Sequence, residues 1–171
     1  MRLDRTITLD APAGRVWQIL ADFGAIDRWS PVINHSASVD GPTSGVGATR
    51  ACEVAGIFPN VVERATEWDE GRSLTFEIEG APMMRSVNST WSAEPDGGRT
   101  VVTARVDARR SPGPIGALMA ATMMKATMGR NVGQSLRGLK HHVEAGEVAG
   151  TKAPAAGHAA ERAAAEQAPS D

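Results

Sequence analysis

Apolar and polar positions alternate along most of the first 110 residues of the chain. Leu3, Ile7 and Leu9 alternate with polar residues, which is the period of a half-buried strand. Strands are predicted at 3–10, 32–39, 48–55, 60–69, 73–79, 84–94 and 100–109, with Gly, Pro and Asp between them. Because loops this short leave no room for parallel crossovers, the later strands should form an antiparallel meander.

Two short helices are predicted between the first and second strands. Apolar residues at helical spacing from Val16 to Leu20 indicate a helix at 12–21. A second short helix or turn is predicted at 24–28. It should end by Ser30, because the residue before Pro31 disfavours the α conformation. Together the two helices would form an elbow.

The spacing of apolar residues changes to a helical period after residue 114. No proline occurs from 115 to about 145, and the apolar residues that recur every three or four positions are Leu118, Ala121, Met124, Met128, Val132, Leu136, Leu139 and Val143. This pattern predicts one amphipathic helix about 45 Å long. We therefore expect one domain at 1–146, followed by an alanine-rich, disordered tail at 147–171.

These elements predict an internal cavity. A curved antiparallel sheet is wider than the strip that one helix can cover. Large aromatic side chains would ordinarily fill the remaining space, but aromatic residues are only 4% of the chain and tyrosine is absent. A ligand-sized void lined by apolar side chains is therefore expected.

Composition and charge exclude several classes of function. The net charge is −2, so no general basic field attracts phosphates, and we predict no nucleic-acid partner. Apolar stretches are far shorter than a bilayer crossing requires, which predicts no stable membrane insertion and a cytoplasmic location. Cys52 is the single cysteine, so no intrachain disulfide can form; we interpret it as a buried apolar residue, with a reactive thiol as the alternative.

Glu63 is the main candidate for chemistry. Strict alternation along 60–69 would place Val61, Glu63, Ala65 and Glu67 on one face, and Val62, Arg64, Thr66 and Trp68 on the other. Glu63 would then be a polar anchor or a general base in an apolar cavity. The alternative is a solvated surface glutamate, or an ion-pair partner of Arg50 or Arg85.

The predicted ligand-binding residues come from the elbow, the inward faces of the strands and the long helix. They are Trp29, Glu63, Phe76, Ile78, Met84, Ser89, Trp91, Ala104, Met124, Met128, Asn131 and Ser135. Ser89, Asn131 and Ser135 could donate hydrogen bonds to a ligand oxygen, or could serve only the surrounding protein. No metal site is predicted, because His141 and His142 point about 100° apart on a helix. No cofactor is predicted either.

Several segments resemble a known family. They are residues 11–23, Trp29-Ser30-Pro31, residues 45–50, residues 62–69 and residues 131–140 of the last helix. In this order they resemble the bacterial polyketide-cyclase/dehydrase-like branch of the START-like (SRPBCC) superfamily. The resemblance implies an α+β helix-grip fold of the START/Bet v 1 type, with a seven-stranded curved antiparallel sheet around a long C-terminal helix.

The fold of this family does not determine function. The favoured hypothesis is binding or transport of an apolar small molecule, such as a lipid, a quinone or a polyketide-like compound, by a monomer or homodimer without catalytic residues. The alternative is a cyclase or dehydratase that uses Glu63 with Ser89 or Arg85 for proton transfer. A third possibility is an interaction protein whose pocket is filled by side chains.

Overall fold

The structure is a computed structural model that describes residues 1–39, 41–56, 59–81, 84–110 and 117–145; it describes no side chain for residue 110 or for residues 117–123. The predicted tail at 147–171 lies outside these residues, as does the start of the predicted long helix at 115–116.

Seven strands and two α-helices follow one another in the predicted order. The strands are β1 (Arg2–Leu9), β2 (Ile33–Ser38), β3 (Thr49–Val54), β4 (Val61–Asp69), β5 (Ser73–Glu79), β6 (Met84–Asp96) and β7 (Arg99–Arg110). The helices are α1 (Ala13–Ala21), a 3₁₀ helix (Phe23–Arg28) and α2 (Ala117–Ala145). Strand ends differ from the predicted ones by one or two residues at most.

All seven strands form one antiparallel sheet in the order β1-β7-β6-β5-β4-β3-β2. The strands β2 to β7 are a meander, as predicted. The first strand pairs with the last, so that Arg2 lies opposite Asp107 and Leu9 opposite Thr100. Inward residues of the central strands, among them Phe76, Trp91 and Val102, belong to the main core.

The strict alternation predicted for β4 is wrong beyond Ala65. The pairing with β5 shifts between Ala65 and Glu67, which marks a β-bulge. The bulge turns Glu67 out to solvent and brings Trp68 against the core, where its ring lies edge-on to Trp17 at 5.6 Å between centroids. Glu63, which precedes the bulge, remains on the inward face.

The C-terminal half of α2 is fixed to the elbow and to β1. A Cβ atom on Gly138 would overlap the carbonyl oxygen of Trp29, so only glycine allows this approach of helix and elbow. Ser135 Oγ lies 2.8 Å from Ser30 Oγ, and Lys140 Nζ donates to the Thr8 carbonyl at 2.8 Å. The helix therefore has a fixed position over the concave face of the sheet. Among the described residues, no helix has the length and apolar character that a bilayer crossing requires.

Candidate functional site: an apolar cavity under the long helix

A cavity of about 200 Å³ lies between α2, the elbow and the concave face of the sheet. Its described polar lining residues are Ser30, Glu63, Ser89, Thr127, Asn131 and Ser135. The apolar lining residues are Ile26, Val32, Ile33, Val54, Pro59, Val61, Phe76, Ile78, Ala81, Met84, Val87, Trp91, Val106, Met124, Met128 and Val132. The wall is thus mainly apolar, with a few convergent polar groups, as in most small-molecule sites.

Most residues predicted to bind a ligand lie on this wall. They are Glu63, Phe76, Ile78, Met84, Ser89, Trp91, Met124, Met128, Asn131 and Ser135. The structure therefore brings the predicted strand and helix residues together around one space. Whether they contact a ligand stays a prediction.

Trp29 and Ala104 were also predicted on the wall, but they lie outside it. Trp29 is buried behind the wall, where its ring packs edge-on against Trp91 at 5.5 Å between centroids. Its Nε1 atom has no hydrogen-bond partner. Ala104 lies opposite Trp91 in the β6–β7 pairing and is fully buried in the core, because a methyl group is too short to reach past its larger neighbours.

Several wall residues were not predicted from the sequence. Ile26 and Ser30 come from the elbow, and Val54 and Val61 come from adjoining strands. Alternation did place Val61 on the same face as Glu63, so this signal was present in the pattern. The elbow residues carry no such signal, because their position depends on how the elbow packs against the sheet.

Glu63 forms a buried ion pair with Arg50. The two residues lie opposite each other on β3 and β4, and Arg50 Nε donates to Glu63 Oε2 at 2.6 Å. Only 6% of Glu63 and 3% of Arg50 is exposed, so neither is a surface residue. Of the alternatives for Glu63, the ion pair with Arg50 is the one that the structure contains.

Arg50 is held on several sides at once. Its Nη1 donates to the Phe23 carbonyl at 2.6 Å. Its guanidinium carbon lies 3.9 Å from the centroid of the Phe23 ring and 5.0 Å from that of Phe76, which are cation–π distances. The charge is therefore balanced by Glu63 and shielded by aromatic rings.

Cys52 extends this polar network. Its thiol lies 3.8 Å from Glu63 Oε2 and 3.6 Å from Ser36 Oγ. Burial, together with the nearby negative charge of Glu63, raises the pKa of Cys52 to about 11. At neutral pH the group is therefore a thiol that can donate to the carboxylate, which favours the interpretation of Cys52 as a buried residue over a reactive one.

Three buried serines supply hydroxyl groups to the wall. Ser89 Oγ accepts a hydrogen bond from Trp91 Nε1 at 3.1 Å, which leaves its own proton to donate. In the bond between Ser30 and Ser135 one hydroxyl donates, so the proton of the other is left for another acceptor. The cavity can therefore offer donors to a ligand oxygen from the sheet and from the helix.

Of the two candidate partners of Glu63 in proton transfer, Ser89 lies on the same cavity wall as Glu63, whereas Arg85 does not. The β6–β7 pairing shifts between Met84 and Ser86, and this irregularity leaves Arg85 exposed while Met84 lies on the cavity wall. Arg85 is therefore neither a partner of Glu63 nor a cavity residue. The described residues contain no group of three His, Cys, Asp or Glu side chains that could hold a metal ion.

Comparisons with solved structures identify the fold. A protein from Thermus thermophilus matches with a TM-score of 0.70 and 19% identity, over 84% of this chain and 97% of that one. The Zhui aromatase/cyclase from a Streptomyces species matches with a TM-score of 0.72 and 22% identity, over 84% and 93%. A protein from Thermobifida fusca matches with a TM-score of 0.70 and 25% identity, over 83% and 92%.

The curved seven-stranded sheet closed by a C-terminal helix is the α+β helix-grip fold, as predicted. A family model described as "Polyketide cyclase / dehydrase and lipid transport" matches residues 1–144. The chain belongs to this family, within the START-like (SRPBCC) superfamily. No curated protein sequence matches it.

Proposed function

We propose that the protein binds and carries an apolar small molecule, such as a lipid, a quinone or a polyketide-like compound, in the cavity under α2. The observation that carries the proposal is the wall itself, which is mainly apolar and has a few buried hydroxyl groups. Such a cavity offers a ligand the free energy of removing apolar surface from water.

The family supports this function in outline. Its description combines cyclases and dehydrases with lipid transport, and a lipid is an apolar molecule of the proposed kind. The solved structures that are less than 25% identical support the fold alone. Neither a nucleic-acid partner nor insertion into a membrane is part of the proposal.

A cyclase or dehydratase is the second candidate, because the Glu63 carboxylate lies on the cavity wall. Its ion pair with Arg50 argues against a free general base, and Arg85 is too exposed to assist. If the protein is an enzyme of this kind, Glu63→Gln should abolish turnover and leave ligand affinity nearly unchanged. A carrier catalyses no reaction, so the same substitution would remove no activity.

The first experiment is native mass spectrometry of freshly purified protein, followed by extraction into organic solvent. A carrier should release an apolar compound in stoichiometric amount. Binding can then be measured by fluorescence titration with 6-propionyl-2-(dimethylamino)naphthalene, an uncharged two-ring dye that brightens in apolar surroundings.

Val132→Trp should weaken dye binding at least about tenfold, because the indole would occupy the cavity, and tenfold corresponds to about 1.4 kcal/mol. The matched control is Arg130→Trp, at an exposed position of the same helix. Equal affinities for the two variants would place the dye elsewhere on the protein. An empty protein that binds no apolar probe would contradict the proposed function and favour the interaction protein.

A further inference from the structure

The charges around the cavity limit the chemistry of its ligand. Glu63 is the single charged side chain among the described lining residues, and no lysine, arginine or histidine is among them. An anionic ligand would therefore have no described cation to pair with in the wall. The carboxylate that it would meet, Glu63, already has Arg50 as its counter-charge.

Arg50 cannot supply the missing positive charge. Its Nε donates to Glu63, its Nη1 donates to the Phe23 carbonyl, and the face of its guanidinium lies over the Phe23 ring. It is also not among the described residues that line the cavity. Removing it from Glu63 to bind a ligand would leave a buried carboxylate unpaired, which costs more than the new contact supplies.

The remaining polar groups suit an uncharged ligand. The hydroxyl of Ser89 and that of either Ser30 or Ser135 can each donate a proton, and the Asn131 amide can donate or accept. Ser30, Ser89 and Ser135 are each at least nine-tenths buried, so a ligand hydroxyl or carbonyl would meet them without competition from water.

The volume sets the size of the ligand. A dry cavity of about 150 Å³ accepts benzene in another protein. The cavity described above is about 200 Å³, which suits a compact molecule of one or two rings.

We propose that this cavity selects uncharged, oxygen-bearing ligands of one or two rings and rejects carboxylates of the same shape. The proposal rests on the function proposed above and narrows its ligand class. Unbranched fatty acids, which are carboxylates at neutral pH, would accordingly be poor ligands.

The test compares three probes of one shape: naphthalene, 2-naphthol and 2-naphthoate. Each is titrated at neutral pH against the full chain by displacement of 6-propionyl-2-(dimethylamino)naphthalene. We expect 2-naphthol to bind most tightly, and 2-naphthoate to bind at least about tenfold more weakly than 2-naphthol, because its charge would be buried without a partner. The affinity for naphthalene should lie between the affinities for the other two probes.

Glu63→Gln should reduce the preference for 2-naphthol over 2-naphthoate at least about tenfold, because it removes the carboxylate and leaves the buried Arg50 guanidinium without its counter-charge. The control is Glu67→Gln on the same strand, where the side chain is exposed and the preference should not change. If Glu63→Gln does not fold, the ratio of the affinities for 2-naphthol and 2-naphthoate, measured on the unmodified protein, still tests the proposal.

The outcomes separate the two proposals. If 2-naphthoate binds as tightly as 2-naphthol, the selection of uncharged ligands is wrong, and the carrier function stands. If neither the dye nor any of the three probes binds, both proposals are wrong.

Discussion

Arg50 and Glu63 form an ion pair in the interior of a small domain. Burying each charge is costly, and their attraction and hydrogen bonds offset that cost only while both are present. The phenylalanine rings on the face of Arg50 add further contacts. The pair therefore fixes how β3 and β4 meet the elbow at the Phe23 carbonyl.

Arg50→Met should lower the free energy of unfolding by about 3–5 kcal/mol, because Glu63 would remain buried without its partner. The double variant Arg50→Met with Glu63→Leu should recover most of this loss. Urea denaturation, monitored by tryptophan fluorescence, measures the free energy of unfolding of both variants.

The control for this prediction is Arg105→Met, which removes an exposed ion pair with Asp4 in which both side chains are about half exposed. That variant should lower the free energy of unfolding by less than about 1 kcal/mol. The account of the buried pair would be refuted if Arg50→Met were as mild as Arg105→Met.

At the scale of elements, the position of α2 depends on glycine at the crossing with the elbow. Two glycines of this helix provide a matched comparison. A Cβ atom at Gly138 would overlap the Trp29 carbonyl and approach Pro31 Cδ at 2.7 Å, whereas at Gly133 the nearest atom is the flexible end of Arg137 at 3.6 Å.

Gly138→Ala should destabilise the protein by about 1–3 kcal/mol or more, because helix and elbow must move apart. Gly133→Ala should be neutral or stabilise by up to about 1 kcal/mol through helix propensity. Denaturant midpoints measure both, and the fluorescence of the buried Trp29 should change only in the first variant. Equal effects at the two positions would mean that the crossing tolerates a side chain.

The elements of this fold were predictable because each follows from a local pattern. The strand at 73–79 alternates cleanly between two turns, and the structure reproduces its ends. The bulge at Thr66 was not predictable, since one extra residue in a strand looks like ordinary alternation until the pairing with β5 is known. Arg85 was misplaced for the same reason.

The site was predictable in part. Inward strand residues such as Phe76 and Ser89 follow from alternation, and Asn131 and Ser135 follow from the helical period. Sequence could not select Arg50 over Arg85 as the partner of Glu63, because the choice depends on the register between strands, which places Arg50 directly opposite Glu63. It could not place Trp29 either, since the elbow packs that ring behind Trp91.

At the scale of the whole molecule, two glutamates join segments that are distant in sequence. Glu70 accepts hydrogen bonds from the indoles of Trp17 and Trp68, at 2.8 Å each. Glu144 at the end of α2 accepts from the Asp10 backbone N–H at 2.8 Å and from Lys140. These hydrogen bonds lower the pKa of each carboxyl below its ordinary value. The largest contribution comes from Trp68 for Glu70 and from the Asp10 backbone for Glu144.

A lowered pKa in the folded protein stabilises it above the ordinary carboxyl pKa, and this stabilisation is lost as pH falls through the folded value. The free energy of unfolding should therefore decrease below about pH 4.5. Glu70→Gln and Glu144→Gln should each flatten this decrease. Urea unfolding from about pH 7 to about pH 3 measures it, with Glu94→Gln at an exposed position of β6 as the control. If the free energy of unfolding decreased with falling pH in both variants as it does in the unmodified protein, Glu70 and Glu144 would not be the carboxyls responsible.

The pairing of β1 with β7 has a consequence for how the chain folds. About a hundred residues separate the two strands, so β1 has no neighbour in the sheet until β7 has been synthesised. Contacts between such distant segments make folding slow, because a long loop has to be closed before they form. During synthesis the apolar face of β1 must remain without its partner strand until the last strand is complete. The cavity is completed later still, because α2, which lines it, follows β7 in the chain.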